Sequence, residues 1–252
     1  MSKTRLKSIT HTALLIAVTL VLRNFSFLIP FGGAGGMRIG ISGFFSKLPA
    51  FIFGPAYGGI ADGLIDVIAY IIKPEGGYIP LLTATAVLGG IMAGFFWKWI
   101  KTINVSLFRK IFAVIFAIIG VIGAINTIFV YFISGSGYAM FLESFGKRTV
   151  YFTLWCTIAG FAALIIFAAD YLLRKNFKEV YAAEFIKMLT VLLIANITVT
   201  TLNTVILMSF TPALAKLGFA VFYIPRLIEE IVMTVIQSWG ASFLLQLYSR
   251  YK

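Results

Sequence analysis

IPLLTATAVLGGIMAGFFWKWIK, residues 79–101, holds no charged side chain before Lys98. At about 1.5 Å per residue a helix of this length reaches across the roughly 30 Å hydrocarbon core of a bilayer. Comparable apolar windows recur near 10–30, 39–56, 57–73, 110–134, 149–173, 186–210 and 226–248. Together they predict an all-α integral membrane protein with eight spans. The second and third windows are short and glycine-rich, and Gly54-Pro55 between them predicts a tight turn or a broken helix pair. Composition agrees: 60% of the residues are hydrophobic and only 12% charged, more apolar surface than a core of this size could hide from water.

Basic residues fall in short tracts beside the apolar runs: Lys3, Arg5 and Lys7, then Lys98, Lys101, Arg109 and Lys110, then Arg174, Lys175 and Lys178, then Arg250 and Lys252. The intervening loops on the other side are poor in charge. By the positive-inside rule both termini lie in the cytoplasm of a cell-membrane protein. The same clustering explains the net charge of +12 without nucleic acid, which would call for a continuous basic stripe. Trp97, Trp99, Tyr248 and Tyr251, where apolar runs meet basic residues, read as interface anchors. The first apolar stretch follows three basic residues as a signal peptide would, but lacks a cleavage site and reads as a retained helix.

Several function classes drop out. Cys156 is the only cysteine and His11 the only histidine, so the chain offers no intrachain disulfide, no cysteine-based metal framework and no Ser/His/Asp arrangement. No cofactor, metal or catalytic activity is expected. There is no GxxxxGK[ST] sequence, so any dependence on ATP must come through a partner.

Small residues recur at helical spacing in Ala13 with Ala17, Gly59 with Gly63, and Ala86, Gly90 and Gly94. These faces let helices approach closely, either within the bundle or at a partner. Charges within or beside the spans are costly enough to need a reason: Arg23, Lys47, Asp62, Asp66, Asp170, Glu229 and Glu230. Asp62 and Asp66, four apart on one face, suit a cation site, a proton relay or salt bridges to neighbouring helices. Asp170 reads as a local pair with Arg174. Arg38, Lys47 and Arg226, near outer helix ends, favour an anionic substrate, because arginine grips a carboxylate with two parallel hydrogen bonds. Snorkelling to headgroups is the competing reading, strongest for Lys47. Asn196 and Asn203, two turns apart, could read the edge of a polar heterocycle or act as interhelical glue. Tyr78, Thr83 and Thr85 could add stacking or hydroxyl contacts.

The stretch from Arg38 to Trp97 resembles the substrate-binding S-components of energy-coupling factor vitamin transporters, most closely the folate family. The residues that carry this are RIG from Arg38, LPA from Leu48 followed by FGP from Phe53, GLID from Gly63, PEGGY from Pro74 and TAVLGGIMAG from Thr85. Asn203-Thr204 and RLIEEIVMTVIQ from Arg226 extend the resemblance to the C-terminal part. It implies a six-helix subunit that captures a vitamin from outside and joins a membrane coupling subunit and two ATPase subunits. Ala13 and Ala17 would then dock the partner. Arg38, Tyr78, Thr83, Asn196, Asn203 and Arg226 would bind the substrate, a folate-like anion, with amides on the pterin and arginines on the glutamate tail. The chain departs from the family between 102 and 178, where two additional spans form an inserted hairpin. Helices one to four of the core would occupy 1–101 and the last two 179–252. A subunit of the same kind for pantothenate, or a stand-alone proton- or cation-coupled transporter using Asp62 and Asp66, are the alternatives.

Overall fold

A computed structural model describes residues 3–30, 36–74, 76–100, 106–146, 149–176, 184–216 and 218–250. Helix α1 (Lys3–Asn24) runs into a short antiparallel hairpin of β1 (Phe27–Pro30) and β2 (Gly36–Ile39), which pairs Phe27 with Ile39 and Leu28 with Arg38. Two short helices follow, α2 (Gly43–Ser46) and α3 (Leu48–Phe53), and then α4 (Pro55–Ile72) and α5 (Pro80–Ile100). The chain continues through α6 (Ser106–Phe132), α7 (Gly137–Glu143) and a wide π turn at Tyr151–Trp155 into α8 (Cys156–Asn176). It closes with α9 (Glu184–Phe210), α10 (Pro212–Ala215) and α11 (Phe219–Arg250).

Among the described residues six helices are long and apolar enough to cross a membrane: α1, α4, α5, α6, α8 with its π turn, and α9. Two of the eight expected spans are not among these six. Window 39–56 is no full span. Its helical part, Gly43–Phe53, is about 16 Å long, half a hydrocarbon core. It ends at Gly54, whose φ of 99° suits glycine, and Pro55 opens α4 where its missing N–H has no partner to lose. Window 226–248 lies inside α11, a helix of 32 residues that is long enough to span but carries Arg226, Glu229 and Glu230 in its first half.

The polarity of the bundle is inverted relative to a water-soluble protein. Ile111, Val114, Ile118, Val121 and Ile125 of α6 point outward, while Asp62, Thr200, Thr204 and Thr234 are buried. Close helix contacts are made by glycine. A Cβ on Gly58 would stand 2.6 Å from the Gly90 carbonyl oxygen, and one on Gly94 2.6 Å from Pro55, so α4 and α5 touch backbone to backbone. Gly90 and Gly94 therefore serve internal packing. Ala13 and Ala17 remain exposed on α1.

A core of Leu48, Phe51, Ala93, Trp97, Leu192 and Ala241 joins α3, α5, α9 and α11. Trp97 does not sit at the interface as expected. It is 2% exposed and packs edge-on to Phe51 at 5.0 Å between ring centres. Trp99 is the outward ring. Helices α6 and α8 pack mainly on each other, backbone to backbone at Gly120 and Gly160, and join α9 and α11 through Phe116, Phe167, Phe185 and Val235. Helices α5 and α9 pack directly together, although α6 to α8 separate them in sequence. Nδ1 of His11 and the Tyr248 hydroxyl, 2.8 Å apart, bring the first half of α1 and the last turn of α11 together at one end of the bundle.

Candidate functional site

The short α2–α3 pair positions the site. A Cβ on Gly43, where α2 begins, would meet the Gln237 amide of α11 at 2.5 Å, so the pair starts against the middle of that longer helix. The space above it is a cavity of about 340 Å³, bordered by Gly40, Ser42, Gly43 and Ser46 and reached by residues of α1, α4, α5, α9 and α11. Its wall is unusually charged. Lys47 and Arg23 contribute two cations, and Asp62, Asp66, Glu229 and Glu230 four carboxylates.

Each charge has a local setting. Lys47 Nζ lies 2.6 Å from Asp62 Oδ2, with the two side chains 15% and 7% exposed. Lys47 was expected to snorkel to headgroups; it turns inward because a buried carboxylate offers it both charge and hydrogen bond. Asp66 accepts a 2.6 Å hydrogen bond from Thr83, whose Oγ1 lies 2.9 Å from the Tyr78 hydroxyl. Glu230 accepts from Thr200 at 2.8 Å. A smaller cavity of about 180 Å³ shares Arg23 and Asp66 with the first and is walled by Tyr70, Lys73 and Tyr78 at the far ends of α1 and α4.

The residues expected to bind substrate are placed as follows. Asn196 donates to Thr234 at 3.0 Å, and Asn203 meets Thr85, so both amides link helices. Thr83 and Tyr78 form the chain to Asp66, and Tyr78 lines the smaller cavity. The Arg226 guanidinium lies 5.1 Å from the centre of the Phe222 ring, near Glu229 and Glu230. Arg38 pairs through its backbone with Leu28, and its side chain is outside the described part, as is that of Arg174. Tyr78, Thr83, Asn196, Asn203 and Arg226 do not border the larger cavity. Its charged wall consists instead of the residues that stood out as costly inside spans, and Met233 and Gln237 follow Glu230 at helical spacing on the same face of α11. Gln237, a lone amide on an apolar stretch, was the overlooked signal. A Thr85→Val variant, which strips the hydroxyl from the buried contact with Asn203, is expected to lower stability by about 1 kcal/mol, read as a lower melting temperature in detergent.

No metal-binding cluster of three or more ligating side chains occurs among the described residues. No curated protein and no solved structure matches the chain. The family described as ECF transporter, substrate-specific component, matches residues 7–147, more than half the chain, from the start of α1 past α7. The apolar helices, the cavity walled by charged side chains and this match agree. The chain belongs to the substrate-specific components of ECF transporters: a multi-pass cell-membrane subunit, not an enzyme, that binds a small molecule and works with the membrane and ATPase subunits of its transporter.

Proposed function

We propose that the substrate is a vitamin-sized molecule with an amino-substituted nitrogen heterocycle, folate being the member of that class suggested by the resemblance of Arg38–Trp97. The observation that carries this is the wall of the larger cavity, with four carboxylates against two cations. An ionised carboxylate only accepts hydrogen bonds, so the complementary ligand edge is one rich in N–H donors. A pterin has such an edge. The carboxylates take over the ring-reading role first assigned to Asn196 and Asn203, which are engaged by Thr234 and Thr85. An anionic tail would lie toward Arg23 and the smaller cavity with Lys73, a role first assigned to Arg38 and Arg226. Pantothenate, an anion with no ring, fits this wall less well.

The remaining roles follow from the same reading. Both termini face the cytoplasm, supported by the basic tracts at the end where His11 meets Tyr248. The exposed Ala13 and Ala17 are the docking face for the membrane coupling subunit, which in turn carries two ATPases. The segment 102–178 is an insertion beside a six-helix core, supported by the direct packing of α5 on α9. The engagement of Asp62 by Lys47 favours capture over coupling to a cation.

Equilibrium binding to the purified chain in detergent tests the substrate class. Folate and thiamine, both amino-substituted heterocycles, are the positive probes and pantothenate the control. At least one ring compound is expected to bind ten or more times tighter than pantothenate, a difference of about 1.4 kcal/mol. Preference for pantothenate would overturn the reading.

A further inference from the structure

The four carboxylates of the cavity are not equivalent. Asp62 is held by the ammonium of Lys47, and Asp66 by the Thr83 hydroxyl that continues to Tyr78. Glu230 is held differently, by hydroxyls from two helices. Thr200 of α9 donates to its Oε2 at 2.8 Å, and Thr234, one turn along α11, reaches its Oε1 at 3.5 Å. The Thr234 oxygen itself accepts from the Asn196 amide at 3.0 Å, which leaves its proton for Glu230. These supports are locked in the core: Thr234 is 0%, Thr200 5% and Asn196 7% exposed.

A carboxylate has about four lone-pair positions, two on each oxygen. Thr200 takes one position on Oε2, and Thr234, at 3.5 Å, stands at the outer limit of a hydrogen bond to Oε1, so at least one position on each oxygen remains. Glu230 borders the cavity, and positions left open on both oxygens would present two acceptors side by side. That pair matches two adjacent N–H groups, as in a 2-amino-substituted ring with a neighbouring ring N–H. A site built for such an edge rejects an analogue that lacks one donor, because an acceptor is then left unpaired away from water.

Resting on the substrate class proposed above, we infer that Glu230 selects the ligand as a two-point acceptor for an N–H/N–H edge, with Thr200, Thr234 and Asn196 as positioning residues. Thr200 anchors one oxygen and Thr234 flanks the other, which restricts the carboxylate before the ligand arrives. Little ordering is then left for the binding step, which raises both affinity and discrimination.

The test compares folate with 2-desamino-2-methylfolate, in which a methyl group replaces the ring amino group at similar size. The unaltered chain is expected to prefer folate at least tenfold. Glu230→Gln, which keeps the side-chain shape but turns one acceptor into a donor, is expected to lose at least tenfold in folate affinity while the analogue changes less than threefold. The preference then disappears, and retained binding of the analogue shows that the variant is folded. Thr200→Val should lower folate affinity severalfold and Thr200→Ser restore it, a rescue that a purely structural role would not produce, since serine removes a packed methyl. Preference for folate that survives in Glu230→Gln overturns this inference alone. Absence of folate binding to the unaltered chain overturns it together with the assignment of folate, and binding of thiamine in the same panel separates that result from failure of the whole substrate class.

Discussion

Lys47→Met is expected to cost the folded protein about 3–5 kcal/mol, because it leaves Asp62 buried in the bundle without its counter-charge. The pair is close, at 2.6 Å, and Asp62 is only 7% exposed, so the little water that reaches it from the cavity replaces the lost ammonium poorly. Thermal unfolding of the purified protein in detergent should show a fall in melting temperature of about 10 °C or more. Methionine keeps the length and most of the apolar stem of lysine, so packing is not what the variant removes. The companion variant Lys47→Met/Asp62→Leu should recover most of the loss, since removing both charges also removes the cost of keeping them out of water. A single variant as stable as the parent would mean that Lys47 and Asp62 do not depend on each other.

Gly90→Leu should have an effect of similar size for a different reason. A Cβ at this position would overlap the carbonyl group of Gly58 and stand 2.8 Å from Asp62 Oδ2. These neighbours are backbone and an engaged carboxylate, so no flexible side chain can move aside. Crowding a packed core costs about 1–3 kcal/mol, occasionally more, and a leucine between two touching backbones belongs at the upper end. Size-exclusion chromatography in detergent is expected to show loss of the monodisperse peak, while Gly76→Ala, in the loop beyond α4 where a Cβ meets nothing, serves as the comparison. That glycine has a φ of 90°, so its alanine variant should pay only a modest backbone strain. Survival of Gly90→Leu with an unchanged elution profile would show that α4 and α5 can separate at this crossing.

Most of the helices were legible in the sequence because lipid imposes a blunt rule: a long run of apolar residues has nowhere else to go. The rule failed at 39–56, where average polarity satisfied it but the turn at Gly54-Pro55 and the glycines around Gly43 limit the helix to Gly43–Phe53. Trp97 shows a second limit. Its neighbours Lys98 and Trp99 are exposed, yet helical geometry points Trp97 to the opposite face, onto Phe51.

The site was legible in its materials but not in its arrangement. The cost of a charge in lipid marked Lys47, Asp62, Asp66, Glu229 and Glu230 correctly as residues needing an explanation. Which of them pair and which face a cavity depends on helix rotation and depth, and neither is written in local spacing. Asn196 illustrates this. Its amide could as well have read a ligand as bridged helices, and only the position of Thr234 on α11 gives it a partner.

The placement of Lys47 and Asp62 also bears on how the chain is assembled. Fifteen residues separate them. A growing chain that has delivered α4 to the bilayer already contains both members of the ion pair, whereas Glu230 arrives only with α11. Domains form as their parts emerge, N-terminal portion first. The two charges nearest the α4–α5 crossing can therefore neutralise each other before the second half exists, and the early helices need not wait in lipid with an exposed ion. Glu230 enters late, when Thr200 on α9 is already there to meet it.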